Sequence, residues 1–481
     1  MNDSSEQRFL ERLRAALNAL SPSPRFAVAF SGGLDSTVLL AATIRLPDVE
    51  SVRALHVDHG VHPDSGRWAQ RCRDRCREWN VPFREARIVV DARAGAGLEA
   101  AAREARYAAL GELLEDGETL LTAHHADDQL ETLLLRMLRG TGVRGLRGIL
   151  PAARFGRGFI ARPLLEIPRA ELRAQAEQWG LDWQEDPSNE NLDYDRNRLR
   201  AQLLPVIRER WGSAPLRSAA RLASAMTDAE EILGWVAERD LAAAGAEHDI
   251  VPLAPLRELG AARQRNALRH AVRAAGLSVP NARQLEALRT AAAAARPDAR
   301  TLVQWPGGEA RVYRDRLYLC GAGVEGAGRE GAARAPVSAA RAPDHVSAGR
   351  AWSGPQGRLV LEPAASAAVQ AEAAGDSASR NPATARVPHG MPESWAREGL
   401  EIRFRIGGER FRPAGDAHHR SLKHWFQQRG VVPWMRDRIP LLYRGGRLIA
   451  VADLVLADEA ARAAPAEPRW RVRWLDHPRI A

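Results

Sequence analysis

The residues with the clearest chemical purpose follow an apolar stretch near the N-terminus. Phe26–Phe30 runs into Ser31, Gly32, Gly33, Leu34, Asp35 and Ser36, and a helical pattern follows. Two glycines let the backbone approach an oxyanion closely. Two hydroxyls and the free amides of a helix start can hold phosphate oxygens. A plain capped turn would need only one of these residues. A Walker loop would carry Gly-Lys-Ser/Thr, yet Lys423 is the only lysine in the chain. Without the cation that accompanies γ-phosphoryl transfer, the loop suits gripping a pyrophosphate while attack occurs at the α-phosphorus.

A second group lies in Thr122–Thr132, which reads Thr-Ala-His-His-Ala-Asp-Asp-Gln-Leu-Glu-Thr. Asp128 and Glu131 are three apart at a helix start and share a face. Such a pair can bind an ammonium ion, bind magnesium or cap the helix. His124 and His125 suggest zinc, but no cysteine or third ligand stands at metal spacing, and no metal site is assigned. Gly140, Gly142 and Gly145 match the dinucleotide fingerprint by letter. They follow a helix rather than a strand, so with Arg139, Arg144 and Arg147 they read as a flexible basic loop near RNA. Arg196, Arg198 and Arg200 alternate with Asn197 and Leu199 in a helical stretch. Cys72 and Cys76 share one face of another helix, expected to point away from the glycine loop. With Cys320 they are the only cysteines, which fits a reducing compartment and no disulfide framework.

These groups need a scaffold, and the pattern from Arg25 to about Leu165 supplies one. Apolar runs at 26–30, 52–58, 83–90, 119–123 and 159–164 read as strands. Helical stretches lie between them at 36–44, 66–79, 98–115 and 127–138. This alternation predicts an α/β fold with a doubly wound parallel sheet, occupying residues 1–211 as a catalytic domain. Residues 213–321 change to Ala, Leu and Arg at helical spacing and read as a mainly helical middle domain. Residues 322–396 are rich in Ala, Gly, Ser and Pro and read as linker, with a strand expected near 358–362. Residues 397–481 read as a small α+β C-terminal domain. The chain has 481 residues and a formal net charge of +9, carried almost wholly by arginine. That favours an anionic partner, nucleic acid first. No apolar run reaches membrane-spanning length, and Met1–Arg8 lacks the order of a signal peptide, so a cytoplasmic location is expected.

The loop Ser31–Ser36 resembles that of the PP-loop ATP pyrophosphatases, a superfamily that includes several synthetases and tRNA thiolases. Within it, an ordered series is similar to the tRNA(Ile)-lysidine synthase family over about the first 200 residues. The series runs from His56-Val-Asp-His-Gly60 through Ala102-Arg-Glu-Ala-Arg-Tyr107 and Thr122–Thr132 to Arg139–Leu146. It continues with Arg162-Pro-Leu-Leu165, Glu185-Asp-Pro-Ser-Asn189 and Arg196–Arg200. His62 departs from the arginine that many members carry there. Gly407–Pro413, Leu422–Phe426 and Val432–Arg436 resemble the C-terminal domain of longer members. There Arg403, Arg405, Arg410, Arg412, Arg420 and Lys423 are interleaved with aromatics, which suits phosphate contacts and base stacking.

The resemblance implies a PP-loop ATP pyrophosphatase fold and a ligase that uses ATP, expected with magnesium. It implies tRNA(Ile) with a CAU anticodon and free L-lysine as partners, and leaves an oligomer open. It implies ATP contacts at Ser31, Gly32, Gly33, Leu34, Asp35 and Ser36, and catalytic roles for Asp35, Arg106, Asp128, Glu131 and Arg196. The carboxylate pair would receive the substrate lysine. The rival readings are a thiolase of the same superfamily and a non-catalytic arginine-rich RNA-binding protein.

Overall fold

The first apolar run is buried over its middle, as a strand between two helical layers must be, and forms β1 (Arg25–Ala29). The computed structural model describes residues 3–58, 60, 64–88, 98–185, 192–193, 195–294, 301–321, 344–354, 357–364, 390–464 and 466–477. His59, His62, Asp186–Asn189 and most of the 322–396 stretch lie outside the described residues. The chain divides into two units, Met1–Arg239 and Asp240–Ala481.

In the first unit, β1 pairs in parallel with β2 (Ser51–Asp58) and with β4 (Thr119–Leu121). The edge strand β3 (Phe83–Arg87) pairs with β2, and β6 (Gly158–Ala161) with β4. The strand β5 (Ala152–Phe155), not expected from the sequence, adds an antiparallel edge through a tight hairpin to β6. The order is β3-β2-β1-β4-β6-β5. The chain steps outward from β1 to β2 and β3, then returns to the other side of β1. A crevice must therefore open above the carboxyl ends of β1 and β4, where such sheets bind ligands.

Helices cover both faces, as a doubly wound sheet requires. On one face α1 (Asp3–Leu20), α2 (Leu34–Thr43), α3 (Ser65–Glu78) and α7 (Arg169–Gln178) share a core around Leu13, Leu39, Cys76 and Leu172. On the other, α4 (Leu98–Leu113) packs Leu110 against Leu55, Leu120 and Ile160. The helix α5 (Ala126–Leu138) rises from β4, and one further turn, α6 (Val143–Leu146), follows. Beyond α7 the chain forms α8 (Asp195–Arg198), a π-helical turn at Leu199–Leu203, α9 (Leu204–Trp211) and the long α10 (Ala214–Ala243). Pro205 has no N–H to give Ala201, so the regular ladder cannot run through this point, and the wide turn sits just before it.

In the second unit, helices Leu253–Glu258, Ala261–Ala274 and Ala282–Ala294 pack on a four-stranded antiparallel sheet. Three further antiparallel sheets, of five, four and two strands, follow among the described residues. They recruit Asp344–Val346, Trp352–Gly354 and Gly357–Pro363, so the alternating apolar residues of 357–363 pair with Arg469–Leu475. Tyr318 of the middle segment lies edge-on to Trp434, 5.3 Å between ring centres, within one core that also holds Phe426 and Met435.

Candidate active site

The loop after β1 is shaped by its own hydroxyls. Ser36 Oγ accepts from the Ser31 amide at 3.2 Å, lies 3.0 Å from Ser31 Oγ and donates to the Gly33 carbonyl at 3.1 Å. Gly33 starts α2 without a side-chain cap, which leaves amides at the helix start available to an anion. Gly32 has φ +79°, the left-handed region that glycine tolerates. A Cβ there would meet Cys72 Sγ at 2.8 Å and Gln184 Nε2 at 3.2 Å. The Gln184 amide donates to the Gly32 carbonyl at 2.9 Å, so the loop is also held from far along the chain.

This corrects the expectation that Cys72 faces away. Because α3 packs on the same sheet face as α2, its buried side looks at the loop. Burial pushes both the Cys72 and the Cys76 thiol up to about 12, so neither is a thiolate at neutral pH.

The Thr122–Thr132 segment faces this loop. His125, which is 2% exposed, precedes α5, and its ring lies among three carboxylates. Its Nε2 is 3.4 Å from Asp128 and 3.7 Å from Asp35, and its Nδ1 is 3.6 Å from Asp127. Burial opposes a charge on this ring, but Asp127, Asp35 and Asp128 outweigh it and push its pKa up to about 9. Asp127 itself accepts from the Arg169 amide at 2.8 Å, at the start of α7, and from Arg208 at 2.6 Å. It is structural on both sides. His124 behaves oppositely: burial pushes it down to about 3, beside Arg162, Arg103 and Arg196, with Asp128 opposing, and it is neutral. Its Nδ1 lies 2.9 Å from the Thr122 hydroxyl.

Asp128 and Glu131 share a face of α5, as their spacing requires, and both are buried. Arg196 reaches Asp128 at 2.6 Å and Glu131 at 2.8 Å. Arg200, one turn on across the π-helical start, reaches the same two at 3.0 and 2.6 Å. Two carboxylates and two guanidiniums thus form a closed cluster. Against the cost of burial, His125 and Arg196 hold Asp128 below the usual carboxylate range. Arg106 stands nearby, its pKa lowered by burial and by Arg103 and Arg196, and it has no carboxylate partner among the described residues. A half-buried, unpaired guanidinium is a ready contact for an anion.

The structure therefore brings Ser31–Ser36, Asp128, Glu131 and Arg196 to one end of the sheet, with Arg106 beside Arg196. Arg208, Arg169 and Gln184 are not among the sequence candidates. Arg200 enters there only through the alternation of Arg196, Arg198 and Arg200, and His125 only as a rejected zinc ligand. The glycine loop at 139–148 is not loose: Arg136 donates to the Gly145 and Gly148 carbonyls at 2.6 and 2.7 Å, and Gln129 clasps Ile149.

In the C-terminal segment the expected cations are mostly paired. Arg403 bonds Glu401, Arg405 bonds Asp437, Arg412 bonds Asp458 and Arg420 pairs with Asp416. Trp425 and Phe426 are core residues, so they are not open to base stacking. Arg410 and Lys423 are exposed.

Fold and loop together define the first unit as a PP-loop domain, the class that splits ATP between the α- and β-phosphates. The sequence model of the PP-loop domain matches residues 2–207. Those of the TilS substrate binding domain and the TilS substrate C-terminal domain match residues 252–318 and 400–474. A tRNA(Ile)-lysidine synthase of Alkalilimnicola ehrlichii is 38% identical over 97% of this chain and 97% of its own length. Those of Coxiella burnetii and Ralstonia nicotianae are 33% and 38% identical, over 96% and 94% of this chain and 96% and 93% of their own lengths. The chain belongs to the tRNA(Ile)-lysidine synthase family.

Proposed function

We propose that this family member joins free lysine to the wobble cytidine of a tRNA(Ile) with a CAU anticodon, in the cytoplasm. ATP, bound as its magnesium complex, first adenylates the C2 carbonyl oxygen of the base, and pyrophosphate leaves. The ε-amino group of lysine then attacks C2, and AMP departs with that oxygen. Adenylation makes a poor leaving oxygen a good one.

The reading rests above all on the juxtaposition of an uncapped, hydroxyl-lined phosphate loop with a buried carboxylate pair across one crevice. Ser31, Ser36 and the helix-start amides hold the pyrophosphate as charge builds on it. Arg106 meets anionic substrate. Asp128 and Glu131 receive a lysine ammonium, which enters in place of one of the two guanidiniums. Either carboxylate can then take a proton from the attacking amine. A thiolase reading is disfavoured by the protonated, buried cysteines. The test is ATP–pyrophosphate exchange, which should require the tRNA, followed by AMP release that requires lysine. Exchange without tRNA, or AMP release indifferent to lysine, contradicts the reading.

A further inference from the structure

The buried imidazole of His125 has no part in the reaction as described so far. Its Nε2 lies between a carboxylate of the phosphate loop, Asp35 at 3.7 Å, and one of the carboxylate–arginine cluster, Asp128 at 3.4 Å. The two carboxylates come from different helices, α2 and α5. They repel across a low-dielectric gap, and His125 is the positive group closest to both, with Arg200 bonded to Asp128 behind it. The other charges facing the ring are Asp127 at 3.6 Å and, across Asp35, Arg169 at 3.4 Å from its Oδ1. Asp127 is already satisfied by the Arg169 amide and Arg208, so it anchors the ring without needing it. Asp35 is different. Its Oδ1 is buried without a hydrogen-bond partner and faces Arg169, while His125 faces its Oδ2 and Arg200 adds a more distant positive charge.

We propose that His125 is a positioning residue: its imidazolium spans Asp35 and Asp128 and so sets the phosphate loop and the carboxylate cluster in register with each other. The charge state agrees, since the surrounding carboxylates keep the ring protonated to about pH 9. The ring touches neither ATP nor lysine in this account. It acts through the two carboxylates that do. The inference rests on the adenylation reading given above.

The test uses the full-length chain with a tRNA(Ile) transcript and measures ATP–pyrophosphate exchange. His125→Leu removes the charge and the donor; His125→Gln returns an amide donor at the reach of Nε2. The expected result for His125→Leu is a fall in the exchange kcat of about 100-fold, typical of a reacting group displaced by about an ångström, with the KM for ATP little changed. His125→Gln should recover about a tenth or more of the parent rate. The parent should lose rate as pH rises past about 9, and His125→Gln should not show that limb. Parent-like kcat in His125→Leu overturns the proposal. So does a parent rate that stays level as pH rises past about 9, since the ring would then act without its charge. If His125→Leu does not fold, His125→Gln and its pH profile decide alone. A parent chain that shows no tRNA-dependent exchange would instead defeat the adenylation reading and leave His125 aside.

Discussion

Arginine–carboxylate pairs occur in both units of this chain, in opposite settings. In the first unit Asp127, Asp128 and Glu131 are buried, and Arg196, Arg200 and Arg208 come to them from 65 to 81 residues away. In the C-terminal segment most pairs keep at least one partner open to solvent, and several are local. Arg403 reaches Glu401, two residues back on the same strand, and Arg397 reaches Glu393 one helical turn away. The same chemistry is a buried lattice in one place and a largely solvent-facing rim over an aromatic core in the other. Burial decides which, because exposed pairs contribute about 0–1 kcal/mol while breaking a buried one leaves a charge stranded.

Substitutions can break this contrast, beginning where the effect is greatest. Asp35→Ala should lower AMP formation by about 10³-fold, on the scale of losing a group that sets the geometry of the reacting phosphate, and leave tRNA binding by filter assay unchanged. Glu131→Gln should raise the KM for lysine by roughly 10- to 100-fold, as for loss of a charge-assisted hydrogen bond, with the KM for ATP steady. A rise for ATP alone would assign the pair to magnesium instead. Gly32→Ala must carry a side chain at φ +79° against Cys72. It should raise the KM for ATP by about tenfold, consistent with about 1–2 kcal/mol of strain in the loop.

Stability against pH sharpens the same contrast. His125 has a folded-state pKa of about 9 against an ordinary 6.5. Its contribution is therefore complete below pH 6.5 and is lost as pH rises to about 9. Melting temperature should fall across that window in the parent and stay flatter in His125→Gln. Asp127 and Asp128 are shifted the other way, so their contribution persists until pH drops below the usual carboxylate range. The smallest effect belongs to the rim: Arg403→Ala, about half exposed, should change stability by less than about 0.5 kcal/mol in denaturant titrations.

What could be read from the sequence follows the range of the interaction. The phosphate loop was legible because its glycines, hydroxyls and flanking strand are contiguous. The shared face of Asp128 and Glu131 was legible from helical spacing. The arginine partners were not, since Arg200 reaches that pair, and Arg208 reaches Asp127, only through the tertiary fold. The wide turn at Leu199–Leu203 had a local cause in Pro205, but that signal is weak in one sequence. Gln184 and Cys72 were invisible as loop supports because their role depends on which sheet face α3 and the segment after α7 cover. Strand β5 was missed because an edge hairpin needs little apolar sequence.

The central claim is tested most directly by mass analysis of nucleosides from tRNA(Ile) with a CAU anticodon, after incubation with the full-length chain, ATP, magnesium and lysine. The account predicts that the wobble cytidine is replaced by a nucleoside heavier by lysine less one water, and that leaving out either ATP or lysine prevents it. An unmodified wobble cytidine, or a sulfur-bearing one formed when a sulfur donor replaces lysine, would contradict it.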